Sequence, residues 1–106
     1  MLKNKDFFTF QTQLESVHGQ IHGWVGGNMG IIEVAAYDPI FWAHHCMIDR
    51  LWYLWQLEHP GAQLPTAFLE QALPPFPMTV RQTLSITDLG YDYAAATAAV
   101  NGPGNG

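Results

Sequence analysis

Charge is what this sequence has least of. Only 12% of its 106 residues are charged, about half the usual share of roughly 25%. Four cations, Lys3, Lys5, Arg50 and Arg81, stand against nine acidic residues, for a net charge of −5 at pH 7. They form no patch, which excludes a nucleic-acid footprint. The single cysteine, Cys46, excludes a disulfide framework and a Cys-based zinc site. No apolar run approaches the ~18 residues that span a bilayer. The first ten residues carry Lys3, Lys5 and Asp6 without a long apolar stretch, so no secretory signal is read there. The expectation is one soluble, cytoplasmic domain with neither nucleic acid nor membrane as partner.

What remains is apolar. Hydrophobic residues make up 48%, with four Trp, four Tyr and six Phe. Either the surface is unusually apolar or another chain covers part of it.

Helical periodicity runs over 6–24, where Phe7, Phe10, Leu14, Val17, Ile21 and Trp24 draw one apolar stripe at spacings of three and four. Gly26-Gly27-Asn28-Met29-Gly30 stops it with residues that tolerate positive φ. Asp38-Pro39 is a helix start, Asp38 as N-cap and Pro39 in the first helical position. No breaker follows until Pro60-Gly61, which predicts a second helix over 39–58. That helix is apolar on nearly every side, the pattern of one lying in the middle of a structure. Further on, a short helix is predicted over 66–72. Leu73-Pro74-Pro75-Phe76-Pro77 is irregular, and Thr79 with Gln82 makes a capping box. Residues 94–106, rich in Ala, Gly and Asn, read as a flexible tail. The class is mainly α, built on an αα-hairpin.

Four of the five histidines fall on the two strong helices. His18 and His22 are four apart and project from one side of the first helix. An antiparallel hairpin brings His44 or His45 of the second helix to the same place. Three imidazoles on a rigid frame, with coordination positions left open, form a catalytic type of metal site. The spacing is also that of the zinc-protease HExxH motif, but Gly19 stands where that motif keeps its general base. An all-imidazole set suits copper, zinc, nickel or iron. Periodicity does not choose between His44 and His45.

Leu14-Glu15, His18-x-x-x-His22, Trp24-Val25-Gly26-Gly27-x-Met29 and Asp38-Pro39-Ile40-Phe41-Trp42-Ala43-His44-His45-x-x-x-Asp49-Arg50-Leu51-Trp52 together resemble the second copper-binding half of tyrosinases and catechol oxidases. The likeness runs from about Phe7 to Trp55, and Tyr91-x-Tyr93 resembles the tyrosine motif that closes the family's catalytic domain. Residues 1–93 then correspond to half of a copper domain. The resemblance implies His18, His22 and His45 as copper ligands. It makes His44 a packing or supporting residue and His59 an ordinary surface residue, and it gives Cys46 no part in the chemistry; as a free cysteine, Cys46 is expected to be a small buried apolar residue.

Family enzymes hold two coppers, each by three histidines, in a four-helix bundle, and bind O₂ between them. The first of those halves is not found in these 106 residues. The resemblance therefore implies one copper per chain and two per assembled site, with a homodimer completing the bundle about a two-fold axis. A separate chain carrying the other half is the alternative. The implied activity is oxidation of o-diphenols to quinones with O₂. The competing readings are an O₂-binding or copper-holding protein without turnover, and a half inactive on its own. Glu15 matches the glutamate that positions water in monophenol-hydroxylating members. Gly19 stands where those members often keep Asn, which favours diphenol over monophenol substrates.

Overall fold

The computed structural model describes residues 1–94, so most of the predicted tail, 95–106, lies outside the described residues. The chain is mainly helical, and it divides into two compact units, Met1–Leu64 and Pro65–Gly106. Among the described residues, no helix is long and apolar enough to cross a membrane.

The first unit is an αα-hairpin. Helix α1 spans Phe7–Val25, and Asp6 caps its start by accepting from the Thr9 amide at 2.9 Å and the Thr9 hydroxyl at 2.8 Å. Gly26 ends it at φ +71°, donating its N–H to the His22 carbonyl. At that φ a side chain would be strained, so the glycine sets the reversal. Short 3₁₀ turns at Gly27–Gly30 and Ala35–Tyr37 lead into α2, Pro39–Glu58. Asp38 accepts from the Ile40 amide at 2.9 Å and Pro39 occupies the first turn, as the sequence predicts.

Aromatic packing holds the two helices together. At the hairpin's open end Phe10 stacks on Trp55, ring centroids 4.8 Å apart, and Phe7 meets Trp52 edge-on at 5.8 Å. At the turn end the contacts are His18 with His45 and His22 with Phe41. Partners run in opposite directions along the two helices, so the hairpin is antiparallel. Trp55 is almost fully buried and its indole N–H donates to the Asn4 carbonyl at 2.7 Å, so the polar tip is satisfied.

Two expectations about burial are corrected here. The α1 stripe is fully buried only at Phe7, Phe10 and Leu14; Ile21 is half-buried, Val17 is exposed and Trp24 is 86% exposed. Helix α2, expected to be central, buries only His44 and Trp55, leaving Ile40, Trp42, Met47 and Leu57 open. The reason is geometric: in a two-helix unit each helix has one neighbour, so one narrow stripe suffices for contact. The rest of the apolar surface has no cover within the unit.

The second unit begins with α3, Thr66–Leu69, shorter than the predicted 66–72. The chain leaves the helix because the Gln71 carbonyl accepts from Val80 and Ala72 bridges Thr79, closing a loop around the prolines. The capping box of Thr79 and Gln82 forms and opens a 3₁₀ turn, Val80–Thr83. A last helical turn, α4, Ile86–Leu89, is capped by Ser85 and closed by Gly90 at φ +93°. Arg81 pairs with Glu70 at 2.7 Å.

Candidate metal centre

His18 and His22 project from adjacent turns of α1 toward α2, where His45 meets them. Their three Nε2 atoms form a triangle: His18 to His22 3.0 Å, His22 to His45 3.2 Å and His18 to His45 3.4 Å. An ion bound by imidazole at ~2.0–2.1 Å holds tetrahedral nitrogens about 3.3–3.4 Å apart. The triangle has that size.

The other ring nitrogens fix where the lone pairs point. His22 Nδ1–H donates to the Met29 carbonyl at 2.8 Å, and His18 Nδ1–H to a Glu15 carboxylate oxygen at 3.1 Å. A carbonyl and a carboxylate accept only, so in the neutral rings both Nε2 atoms carry lone pairs. Two lone pairs facing each other at 3.0 Å repel unless a cation sits among them. Backing of ring N–H groups by oxygen acceptors is the usual support for a metal-bound histidine. The donor set therefore fits a metal held by three imidazoles, with positions left for further ligands.

His45 is placed by Phe41, one turn earlier on α2, whose ring stacks on it at 4.1 Å and 21°. Burial lowers the His45 pKa from its ordinary value, and the charges of His18, His44 and His22 lower it further, with Glu15 acting the other way. Both effects favour the neutral imidazole, the form that ligates.

His44 is also near. His18, His22 and His44 each place a ring nitrogen within 4.8 Å of the others. Its Nε2, however, lies 3.2 Å from the His18 backbone carbonyl and donates to it. The tighter triangle, with its Nε2 atoms clear of other acceptors, belongs to His45.

Glu15 is on the far side of the His18 ring from the triangle, its side chain 62% exposed. Gly19 sits mid-helix in the open, with nothing within 4 Å of where a Cβ would stand. Two expectations change. Cys46 is exposed rather than buried. His59 is not a plain surface residue: it stacks on Trp55 at 4.9 Å and its Nδ1 bonds the Trp55 carbonyl at 3.1 Å. What the sequence does not reveal is the Met29 carbonyl, since backbone acceptors carry no residue signature. The only hint is the glycine-rich turn that folds Met29, fully buried, back under His22.

Residues 1–58 match the family model of the common central domain of tyrosinase. A hemocyanin A-type chain of Enteroctopus dofleini, units Ode to Odg, is 48% identical over 59 residues, covering 52% of this chain and 5% of that protein. A tyrosinase of Neurospora crassa is 51% identical over 51 residues, 46% of this chain and 7% of that one. A grixazone synthase of Streptomyces griseus is 46% identical over 61 residues, 56% of this chain and 20% of that one. The chain thus spans a fifth or less of these relatives. No solved structure matches it.

Proposed function

This chain belongs to the family built on the common central domain of tyrosinase, and from that premise we propose that it supplies one three-histidine half of a two-copper oxidase centre. Copper is the metal of that family, and three histidines standing close together fit it. In this reading the ligands are His18, His22 and His45. The observation that carries it is the Nε2 triangle with sides of 3.0, 3.2 and 3.4 Å.

The reaction proposed is oxidation of o-diphenols, two catechols and one O₂ giving two o-quinones and two waters. Held by histidines, a pair of coppers would supply O₂ binding and a two-electron change of state. The chain's own residues supply position. Met29 and Glu15 hold two imidazoles by their Nδ1–H groups, and Phe41 holds the third by stacking. A catechol delivers both electrons and needs little proton handling from the protein. A monophenol needs a held water as base, and Gly19 has no side chain to help Glu15 fix one.

The second copper half is supplied, in this proposal, by another copy of the chain, the two hairpins forming a four-helix bundle. The uncovered apolar residues of α1 and α2, Trp24, Trp42 and Met47 among them, support it. A chain carrying a different half would serve the same geometry.

Hemocyanin relatives favour a second reading, reversible O₂ binding without turnover. Copper-to-protein ratio, mass in solution and catechol oxidation, measured on one preparation, separate them. One copper per chain in a dimer that oxidises catechol supports the oxidase. A copper-loaded dimer that takes up and releases O₂ with no quinone formed supports the carrier. A monomer that keeps copper and does neither overturns both.

A further inference from the structure

We propose that His44 is a positioning residue for the metal centre, a clamp that ties the backbone of the first ligand to α2 and so sets the size of the ligand triangle. The inference rests on the reading of His18, His22 and His45 as ligands.

Among the described residues His44 is the buried polar side chain, 8% exposed. Its Nε2 is 3.2 Å from the carbonyl oxygen of His18, across 26 positions of sequence. Since a carbonyl only accepts, Nε2 carries the proton and donates, which removes that nitrogen from metal binding. The same carbonyl takes the helical hydrogen bond from the His22 N–H, four residues on, and its two lone pairs serve both donors. One oxygen atom thus joins the α1 turn bearing two ligands to the α2 residue adjacent to the third.

Packing places the clamp directly behind the centre. The His44 ring is 5.3 Å from that of His18 and 5.1 Å from that of His22. An apolar side chain of equal bulk would fill this space, yet it would lack the hydrogen bond that fixes α1 against α2 beside the ligands. Slippage of a few tenths of an ångström is enough to open the triangle, because metal–nitrogen bonds tolerate only about 0.2 Å. Changes to residues that support ligands typically cost 10–100-fold in metal affinity.

The test compares His44→Leu, His44→Gln, His44→Asn and His45→Ala in the full chain. Cu²⁺ affinity is read by competition with a chelator, site geometry by the Cu²⁺ electron paramagnetic resonance spectrum, and helix content by circular dichroism. Gln carries an amide N–H about where Nε2 stands, whereas the shorter Asn does not reach. The expected result is that His44→Leu keeps its helix content, binds Cu²⁺ 10–100-fold more weakly and shows an altered resonance spectrum, while His44→Gln recovers both. Where His44→Leu does not fold, recovery by Gln and not by Asn carries the same conclusion. Binding by His44→Leu equal to that of the unaltered chain overturns the clamp, as does His44→Gln no better than Leu or Asn. Retention of Cu²⁺ by His45→Ala overturns the ligand reading itself, a result distinct from failure of the clamp alone.

Discussion

Phe41 lies nearly flat on the imidazole of His45, ring centroids 4.1 Å apart and planes 21° from parallel. The two are one turn apart on α2, so the stack is set by the helix itself and needs no loop to hold it. A second contact, at 6.1 Å, joins the Phe41 ring to His22. One aromatic side chain therefore touches imidazoles from both helices.

Removing it should loosen the third ligand without deleting one. Phe41→Ala is expected to weaken Cu²⁺ binding by about 10-fold, at the lower edge of what supporting residues cost, and Phe41→Tyr to leave it nearly unchanged. Chelator competition reads both. Equal affinity in Phe41→Ala and the unaltered chain would show that the helix alone orients His45.

The two adjacent histidines should behave differently under saturating copper. His45→Ala removes a corner of the Nε2 triangle and is expected to leave no bound copper after gel filtration. His44→Ala loses the bond to the His18 carbonyl and binds more weakly, yet it keeps all three ligands, so at saturating copper most of the metal should remain. Metal content by atomic emission decides. An empty His44→Ala protein beside a loaded His45→Ala protein would reverse the assignment.

Stability should reside at the other end of the hairpin. Phe10 is 1% exposed and stacks on Trp55, itself 1% exposed. Phe10→Ala is expected to cost about 3–5 kcal/mol, the transfer loss plus the cavity left behind. Asp6→Ala removes only the α1 cap and should cost about 1 kcal/mol. Urea unfolding followed by circular dichroism measures both, and a reversed order would locate the stabilising core elsewhere.

Much of this hairpin is legible in its residues, for a physical reason. Helix ends are local decisions: Asp6, Gly26 and the Asp38-Pro39 pair act on backbone groups within a few residues, and α1 starts and stops, and α2 starts, where those residues stand. The i, i+4 pair of histidines is equally local. What the residues do not disclose is non-local. Trp24 fits the apolar stripe, yet it is exposed because nothing in the hairpin lies opposite it. Helix α3 stops at Leu69 because Val80, eleven residues on, takes the Gln71 carbonyl. His59 resembles a loop histidine until Trp55 is seen beneath it.

Gly19 offers the sharpest test of the chemistry. It lies four residues after Glu15 on α1, so side chains at the two positions are neighbours on one helix face. It follows His18 directly. Its backbone is helical and open space surrounds the missing Cβ, so Asn can be placed there without strain. Asn is also a slightly better helix former than glycine, and Gly19→Asn should fold at least as well as the unaltered chain. The new amide reaches toward Glu15, whose carboxylate bonds His18 Nδ1 through one oxygen and leaves the other free for water. A water held by both groups is a better-placed base for a phenol, and a positioned proton-transfer group is typically worth 10²–10⁴-fold. The copper-loaded Gly19→Asn protein is therefore expected to gain activity on a simple monophenol by about 10²-fold or more, with its rate on catechol nearly unchanged. Adding Glu15→Gln to it should remove the gain, since the amide cannot accept the phenol's proton. Assays of both substrates on the single and double variants check this. A gain on catechol equal to that on the monophenol would show that Asn acts on copper access rather than on proton transfer, and the proposed role of Gly19 would fall.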